Sequence, residues 1–152
     1  MKKKILILLI LFLTSCGYQP IYINQNDNNF LFKEIQLSGN KNINRKVLSA
    51  VGFKEDEKNY SFIYLNLRSN KIITESSKDS KGQVESYKML IVLSLELKDK
   101  NNNLLTKSFS ENFSYNKQAN KFDLVEYERD VESNLTKKII EDLIIYMNLK
   151  WF

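Results

Sequence analysis

The stretch ESYKMLIVLSLELKD, residues 85–99, constrains the fold of this chain more than any other. Large apolar side chains occupy every second position, and the positions between them are partly polar. This period of two predicts a β-strand, because successive side chains of a strand point to opposite faces of the sheet. A strand with one fully apolar face needs a second layer against that face. The apolar face comprises Tyr87, Met89, Ile91, Leu93, Leu95 and Leu97, and the other comprises Lys88, Leu90, Val92, Ser94 and Glu96.

Three other segments carry weaker strand patterns. Residues 30–39 alternate imperfectly, and residues 59–70 alternate before a polar turn at Gly82. Residues 104–115 alternate large apolar side chains with serine, threonine and asparagine, which suits a half-buried strand with one solvated face. These segments predict three more strands beside the one at 85–99.

Two segments show the period of an α-helix. The first, about ten residues long, follows a cap at Asn42 or Asn44 and stops at Gly52. The second begins where Asp123 and Glu126 form a capping-box pattern, and it runs for roughly 25 residues. Its apolar positions are Leu124, Val131, Leu135, Ile139, Leu143 and Met147.

The order of elements is therefore strand, helix, three strands, helix. Two helices cover both faces of a four-stranded sheet poorly, so we expect both to pack on one face. The prediction is an α+β, two-layer sandwich with a four-stranded mixed sheet, in which the other face is exposed or available to a partner. Residues 30–152 form this single domain.

Residues 1–15 have the layout of a secretory signal. A basic start, MKKK, precedes a nine-residue apolar run that is too short to span a bilayer comfortably. Leu13, Thr14 and Ser15 then lead to Cys16, and this order resembles a bacterial lipobox. The resemblance implies that Cys16 receives a diacylglycerol and an N-acyl chain such as palmitate, which together give stable membrane attachment. A free or buried cysteine after a plain signal peptide is the alternative.

The net charge of the chain belongs mostly to this signal. The whole chain carries 23 basic and 18 acidic residues, a formal charge of +5. Without the three lysines of residues 1–15, 20 basic residues face the same 18 acidic ones, and the charge falls to +2. A nearly neutral body lacks the basic footprint of a nucleic-acid-binding protein, so we expect no nucleic acid partner.

The residue types present argue against catalysis. The chain has no histidine and one cysteine, which excludes an internal disulfide and removes imidazole as a base or a metal ligand. No glycine-rich phosphate loop, Gly-x-Ser-x-Gly elbow or metal-ligand spacing is present. We therefore predict no catalytic residues, no metal and no cofactor; an enzyme that uses Ser, Lys, Tyr, Asp or Glu is the remaining alternative.

The segment GYQPIY, residues 17–22, follows the lipobox cysteine directly. It resembles the start of the mature chain in the LptE family of lipopolysaccharide-assembly lipoproteins. The predicted element order resembles that family as well. The resemblance implies a domain inside the lumen of the β-barrel protein LptD. There it would plug and help assemble the barrel and take part in lipopolysaccharide delivery to the outer leaflet. Residues 16–29 would be the lipidated tether. An aspartate directly after the cysteine favours retention in the inner membrane in the enterobacterial sorting pattern. Gly17 stands there instead, which points to the periplasmic face of the outer membrane.

Lipopolysaccharide presents phosphates and acyl chains, so a site for it needs cations beside apolar surface. Two lysine pairs are candidates: Lys78 with Lys81 in the turn after the second strand, and Lys117 with Lys121 before the long helix. The alternative is that these lysines are simply solvated.

A plug role requires an exposed face for the barrel. Phe62 and Tyr64 are expected to point away from the aliphatic face of their strand, as are Leu90 and Val92 on the next strand. A helix or the tether could equally cover them. In the tether, Tyr18, Pro20 and Tyr22 are further interface candidates, and the two tyrosines would contact lipid, the barrel or their own domain.

A second interpretation keeps the lipid anchor and changes the partner. Other outer-membrane lipoproteins with small α/β bodies act as transport auxiliaries or as assembly factors for other barrels. Purification with or without a large LptD-like barrel separates the two interpretations.

Overall fold

The computed structural model of the protein describes residues 30–151, with side chains for residues 30–150. The predicted signal peptide, Cys16 and the tether lie outside the described residues. The elements are β1 Phe30–Gly39, α1 Lys41–Val51, β2 Phe53–Glu55, β3 Phe62–Lys78, β4 Val84–Asp99, β5 Leu104–Asn116 and α2 Lys121–Trp151.

The strands form one mixed sheet in the order β2-β1-β3-β4-β5. The central strand of this order, β3, is parallel to β1 and antiparallel to β4, and β5 is antiparallel to β4. The expected α+β class and mixed sheet are confirmed. The described sheet has five strands, however, where we predicted four.

The unpredicted strand is β2, which pairs in parallel with β1 through Phe53, Lys54 and Glu55. Three residues are too few to show a period in the sequence. The pairing is anchored by Phe53, which is buried and lies edge-on to Phe30 and Phe32 at centroid distances of 5.7 and 5.3 Å. This strand owes its place to aromatic packing, which single-strand alternation does not reveal.

Both helices begin at an asparagine that differs from the predicted cap. The N-cap of α1 is Asn40, whose Oδ1 accepts hydrogen bonds from the backbone N–H groups of Asn42 and Ile43. The N–H of Phe122 donates to Oδ1 of Asn120, so α2 begins two residues before Asp123 and runs for 31 residues. The predicted capping residues are therefore wrong: each helix begins earlier than predicted, after an asparagine, a residue type that caps helices as well as aspartate does. The predicted end of α1 is confirmed, since Gly52 is left-handed with φ of 78°.

The core lies between the two helices and one face of the sheet, which we call the helix-side face. The predicted apolar face of β4 is confirmed there: Met89, Ile91, Leu93, Leu95 and Leu97 are buried. From α2 come the buried side chains Val131, Leu135, Ile139, Leu143, Ile144 and Met147, and from α1 come Ile43, Val47 and Val51. The opposite face, which we call the open face, is covered by no helix of the described residues.

A β-bulge at Ile63 changes the face of the sheet to which Phe62 points. Phe62 pairs with Asp99 and Tyr64 with Lys98, so Ile63 is an extra residue between two consecutive pairs. The bulge turns Phe62 to the helix-side face, where it is 6% exposed and stacks on Phe32 at a centroid distance of 5.0 Å. The expectation that Phe62 shares the exposed face with Tyr64 is therefore wrong.

Within residues 30–151, no helix is both long enough and apolar enough to span a membrane.

Candidate functional site

The structure brings the two predicted lysine pairs to the same end of the sheet. The turn of residues 79–83 joins β3 to β4 at this end, and Ser86 of β4 pairs there with Asn116, the last residue of β5. The connection of residues 117–120 leads from the same place into α2. We call this end the Gly82 end and the opposite one, with the turn of residues 100–103, the Asn102 end. The exposed residues Lys78, Lys81, Lys117 and Lys121 all lie at the Gly82 end.

The turn that carries Lys81 is held by Asp79. Its Oδ1 accepts hydrogen bonds of 2.8 Å from the backbone N–H groups of Lys81 and Gln83, and its carbonyl accepts from Gly82. Gly82 has φ of 78°, which the turn requires. Lys78 lies 3.0 Å from Glu75 in an ion pair that is more than half exposed and therefore weak.

A backbone hydrogen bond holds the segment of the second lysine pair against the start of β4. The N–H of Lys117 donates to the carbonyl of Glu85 at the start of β4, at 2.7 Å. In the part of the chain that the structure describes, the ammonium groups of Lys81, Lys117 and Lys121 form no ion pair. These cations remain available to an anionic ligand.

A tyrosine cluster fixes the start of α2 over the sheet near the Gly82 end. The Tyr115 ring lies 5.8 Å from that of Tyr87 and 5.7 Å from that of Tyr127. Its hydroxyl donates to Glu128 at 2.8 Å. Burial, with this hydrogen bond as the second cause, raises the pKa of Tyr115 well above its ordinary value. One member of the cluster was noticeable in the sequence: Glu128 is a polar residue at a position where the helical period of α2 predicts an apolar one.

Exposed apolar side chains accompany the lysines. Phe122, beside Lys121, is 85% exposed, and Val125 and Phe113 are each close to half exposed. Phe122 was not among the predicted site residues, although the sequence shows an aromatic residue beside a lysine at the start of a helix. Cations beside exposed aromatic and aliphatic surface can contact both a phosphate and a hydrocarbon chain.

The open face holds three of the predicted interface residues. Tyr64, Leu90 and Val92 are half-buried on it, and Leu90 lies beside the 47% exposed Ile72. The Tyr64 hydroxyl donates to Glu96 at 2.6 Å, and this hydrogen bond, followed by burial, raises the pKa of Tyr64. The rest of the face is mostly polar, with cross-strand rows such as Asn66, Glu96 and Thr106, and Arg68, Ser94 and Ser108. Tyr18, Pro20 and Tyr22 lie outside the described residues.

A second basic region, which was not predicted from the sequence, lies between α1 and α2. It is an open groove of about 1240 Å³, lined at its polar rim by Arg45, Lys46, Arg129 and Lys137. Lys71 also lines it but is paired at 2.6 Å with Glu132. The sequence gives little sign of this region, because its residues come from two helices that only the folded chain brings together.

Among residues 30–151, no three histidine, cysteine, aspartate or glutamate side chains converge as a possible metal site.

The fold is shared with two solved lipoprotein structures. The crystal structure of the rare lipoprotein B from Shewanella oneidensis matches with a TM-score of 0.53 at 14% identity, over 77% of this chain and 94% of that chain. The solution structure of an uncharacterized lipoprotein B from Nitrosomonas europaea matches with a TM-score of 0.53 at 10% identity, over 73% of this chain and 79% of that chain. No family model matches the chain, and no curated protein matches it in sequence. At these identities the likeness shows that the chain has the fold of these two lipoproteins.

Proposed function

We propose that this protein is an LptE-like lipoprotein of the outer membrane. In this proposal it plugs and helps assemble an LptD-type β-barrel and takes part in the delivery of lipopolysaccharide to the outer leaflet. It acts by binding and carries no catalytic group, metal or cofactor apart from the acyl chains on Cys16. The lipobox pattern before Cys16, the GYQPIY segment and the fold shared with two lipoprotein B structures support the proposal.

The observation that carries the proposal is the composition of the Gly82 end. Lys81, Lys117 and Lys121 present ammonium groups without ion pairs in the described chain, next to the exposed ring of Phe122. A phosphorylated glycolipid has both an anionic head and acyl chains. The Gly82 end offers a contact for each part, since lysines bind phosphate as point charges and apolar surface binds hydrocarbon.

The open face supports the plug role. The interior of an outer-membrane barrel is polar, so a plug needs a polar surface with few exposed aliphatic groups. The open face has this character, with asparagine, serine and threonine rows around the small aliphatic group of Ile72, Leu90 and Val92. A sheet whose second face is covered by no helix of residues 30–151 leaves this surface free to meet a barrel wall.

Purification of the full-length protein through a C-terminal tag from solubilised membranes tests the barrel partner. We expect an LptD-like barrel to co-purify in near-equal amount. Recovery without such a barrel, from cells that contain one, contradicts the proposal. Recovery with a different barrel favours the transport or assembly auxiliary.

Lipidation is tested by the Cys16→Ala variant. We expect the variant to be released from the membrane or to keep its signal peptide uncut. If it is still processed and membrane-bound, the lipobox assignment is wrong.

Two matched variants test the lysines in the full-length protein. The first replaces Lys78, Lys81, Lys117 and Lys121 by glutamine, and the second replaces Lys54, Lys58, Lys98 and Lys100, which lie towards the Asn102 end. Each removes four positive charges, so non-specific attraction falls equally. We expect binding of purified lipopolysaccharide to weaken about tenfold or more in the first variant and to change little in the second. Equal binding by both variants contradicts the site.

A further inference from the structure

The outer edge of β5 is a long strand edge without a partner in the described chain. This strand has 13 residues and pairs with β4 on one side only. The opposite edge of the sheet, by contrast, ends in the three-residue strand β2. A long edge presents a row of backbone N–H and C=O groups that can template pairing with another chain.

The side chains of β5 on the helix-side face include two charges of opposite sign. Lys107 pairs with Leu95 of β4 and Glu111 with Ile91, so both point to the face that carries the core. Glu111 is half-buried, and within residues 30–150 its carboxylate forms no hydrogen bond or ion pair. The Lys107 ammonium lies 5.4 Å from the Tyr146 ring and 5.9 Å from that of Phe109, also without an ion pair. Charges on this face disfavour indiscriminate edge pairing.

One self-pairing register neutralises both charges. If a second copy lies antiparallel with the two-fold axis at Phe109, Lys107 of each copy faces Glu111 of the other. The same register sets Phe109 against Phe109 and Leu105 against Phe113. A shift by two residues would place Lys107 opposite Phe109 or Phe113 and leave Glu111 without a cation. Cross-strand pairs of opposite charge or of apolar groups stabilise a sheet, and side-chain pattern selects the register.

The flank of β5 has room for the side chains of a second copy. A groove of about 480 Å³ lies along α2 and meets β5 at Phe113; from α2 it is lined by Tyr127, Val131, Asn134 and Lys138 among others. Phe113 is 46% exposed at its edge. In the register centred on Phe109, Leu105 of the second copy would cover this ring.

We propose that the edge of β5 is an interface for a second copy of this chain, paired antiparallel about Phe109 into one sheet continuous across both copies. The Lys107–Glu111 pairs set the register. The inference rests on the edge and its side chains and is independent of the proposed function at the Gly82 end.

Charge reversal in the full-length lipoprotein tests the proposal. Two copies with different C-terminal tags are co-expressed, and the recovery of one through the tag of the other is measured. We expect wild-type copies to co-purify. Two copies of Lys107→Glu, or two copies of Glu111→Lys, should associate about tenfold more weakly, because like charges then face each other.

The mixed pair provides the decisive result. When one copy carries Lys107→Glu and the other Glu111→Lys, both cross-strand pairs again join opposite charges, so recovery should return to the wild-type amount. This rescue separates loss of pairing from loss of folding. Lys46→Glu on α1 is the matched control and should leave recovery unchanged. Failure of wild-type copies to co-purify, or a mixed pair as weak as either single variant, overturns the proposal.

Discussion

The hydroxyl of Ser69 on β3 donates a 2.6 Å hydrogen bond to Oδ1 of Asn44 on α1, and both side chains are buried. The Asn44 amide in turn donates to the carbonyl of Ser38 at 2.9 Å. The two residues therefore fasten the first helix to the parallel pair of strands, β1 and β3. Each polar atom involved is satisfied inside the core, which makes the pair sensitive to loss of either partner.

We expect Ser69→Ala to lower the free energy of unfolding by about 1–3 kcal/mol, because it leaves the buried oxygen of Asn44 without its donor. Urea unfolding followed by circular dichroism measures the change. Ser110→Ala, at an exposed position on the open face, is the control and should have little effect. An equal effect of the two substitutions would mean that the buried hydrogen bond contributes nothing to stability.

Gly39 and Gly82 both have positive φ, of 85° and 78°, but differ in their surroundings. A Cβ at Gly39 would lie 1.9 Å from the backbone oxygen of Ser69, whereas one at Gly82 would meet nothing within 4 Å. Gly82→Ala should therefore destabilise the protein by about 1–2 kcal/mol, the cost of a left-handed alanine. Gly39→Ala should cost clearly more or abolish folding. Comparable melting temperatures for the two variants would contradict the close approach.

The bulge at Ile63 predicts unequal losses of stability for its two aromatic neighbours. Phe62→Ala should lower the free energy of unfolding by about 3–5 kcal/mol, because it empties a place in the core beside Phe32. Tyr64→Ala, on the open face, should cost roughly 1 kcal/mol. Urea unfolding of both variants measures the difference. A larger loss for Tyr64 than for Phe62 would show that the strand lacks the bulge.

Asp99 makes the turn at the Asn102 end sensitive to acid. The side-chain amide of Asn103 lowers the pKa of Asp99 below its ordinary value of 3.8, against burial and with help from the backbone N–H groups of Asn103 and Asn101. A depressed pKa in the folded state stabilises the protein above the unfolded value, and this stabilisation is lost as pH falls through the folded pKa. Asp99→Ala should therefore be less stable than wild type at neutral pH, with the gap narrowing towards pH of about 2. Urea midpoints at both pH values measure this gap. A gap that stays constant would exclude the linkage.

Local rules made much of the fold visible before the structure. The alternation in β4 assigned every second residue from Met89 to Leu97 to the core face, because side-chain direction in a strand follows from position alone. Gly52 marked the end of α1 for a similar reason, since left-handed backbone favours glycine. The lysine pairs were also visible, near the ends of the predicted elements. Their common location at the Gly82 end follows from the two antiparallel hairpins once β3, β4 and β5 are aligned.

Features that depend on a distant partner were not visible in the sequence. The strand β2 forms because Phe53 packs against Phe30 and Phe32, and the bulge at Ile63 turns Phe62 inward to the same aromatic group. The groove between α1 and α2 likewise joins residues far apart in the chain. The amino-acid order was thus sufficient for the periods, the turns and the two-layer class. Only the tertiary structure revealed the pairing register, the inward orientation of Phe62 and the basic groove between α1 and α2. The energies of these features come from contacts between residues remote in sequence.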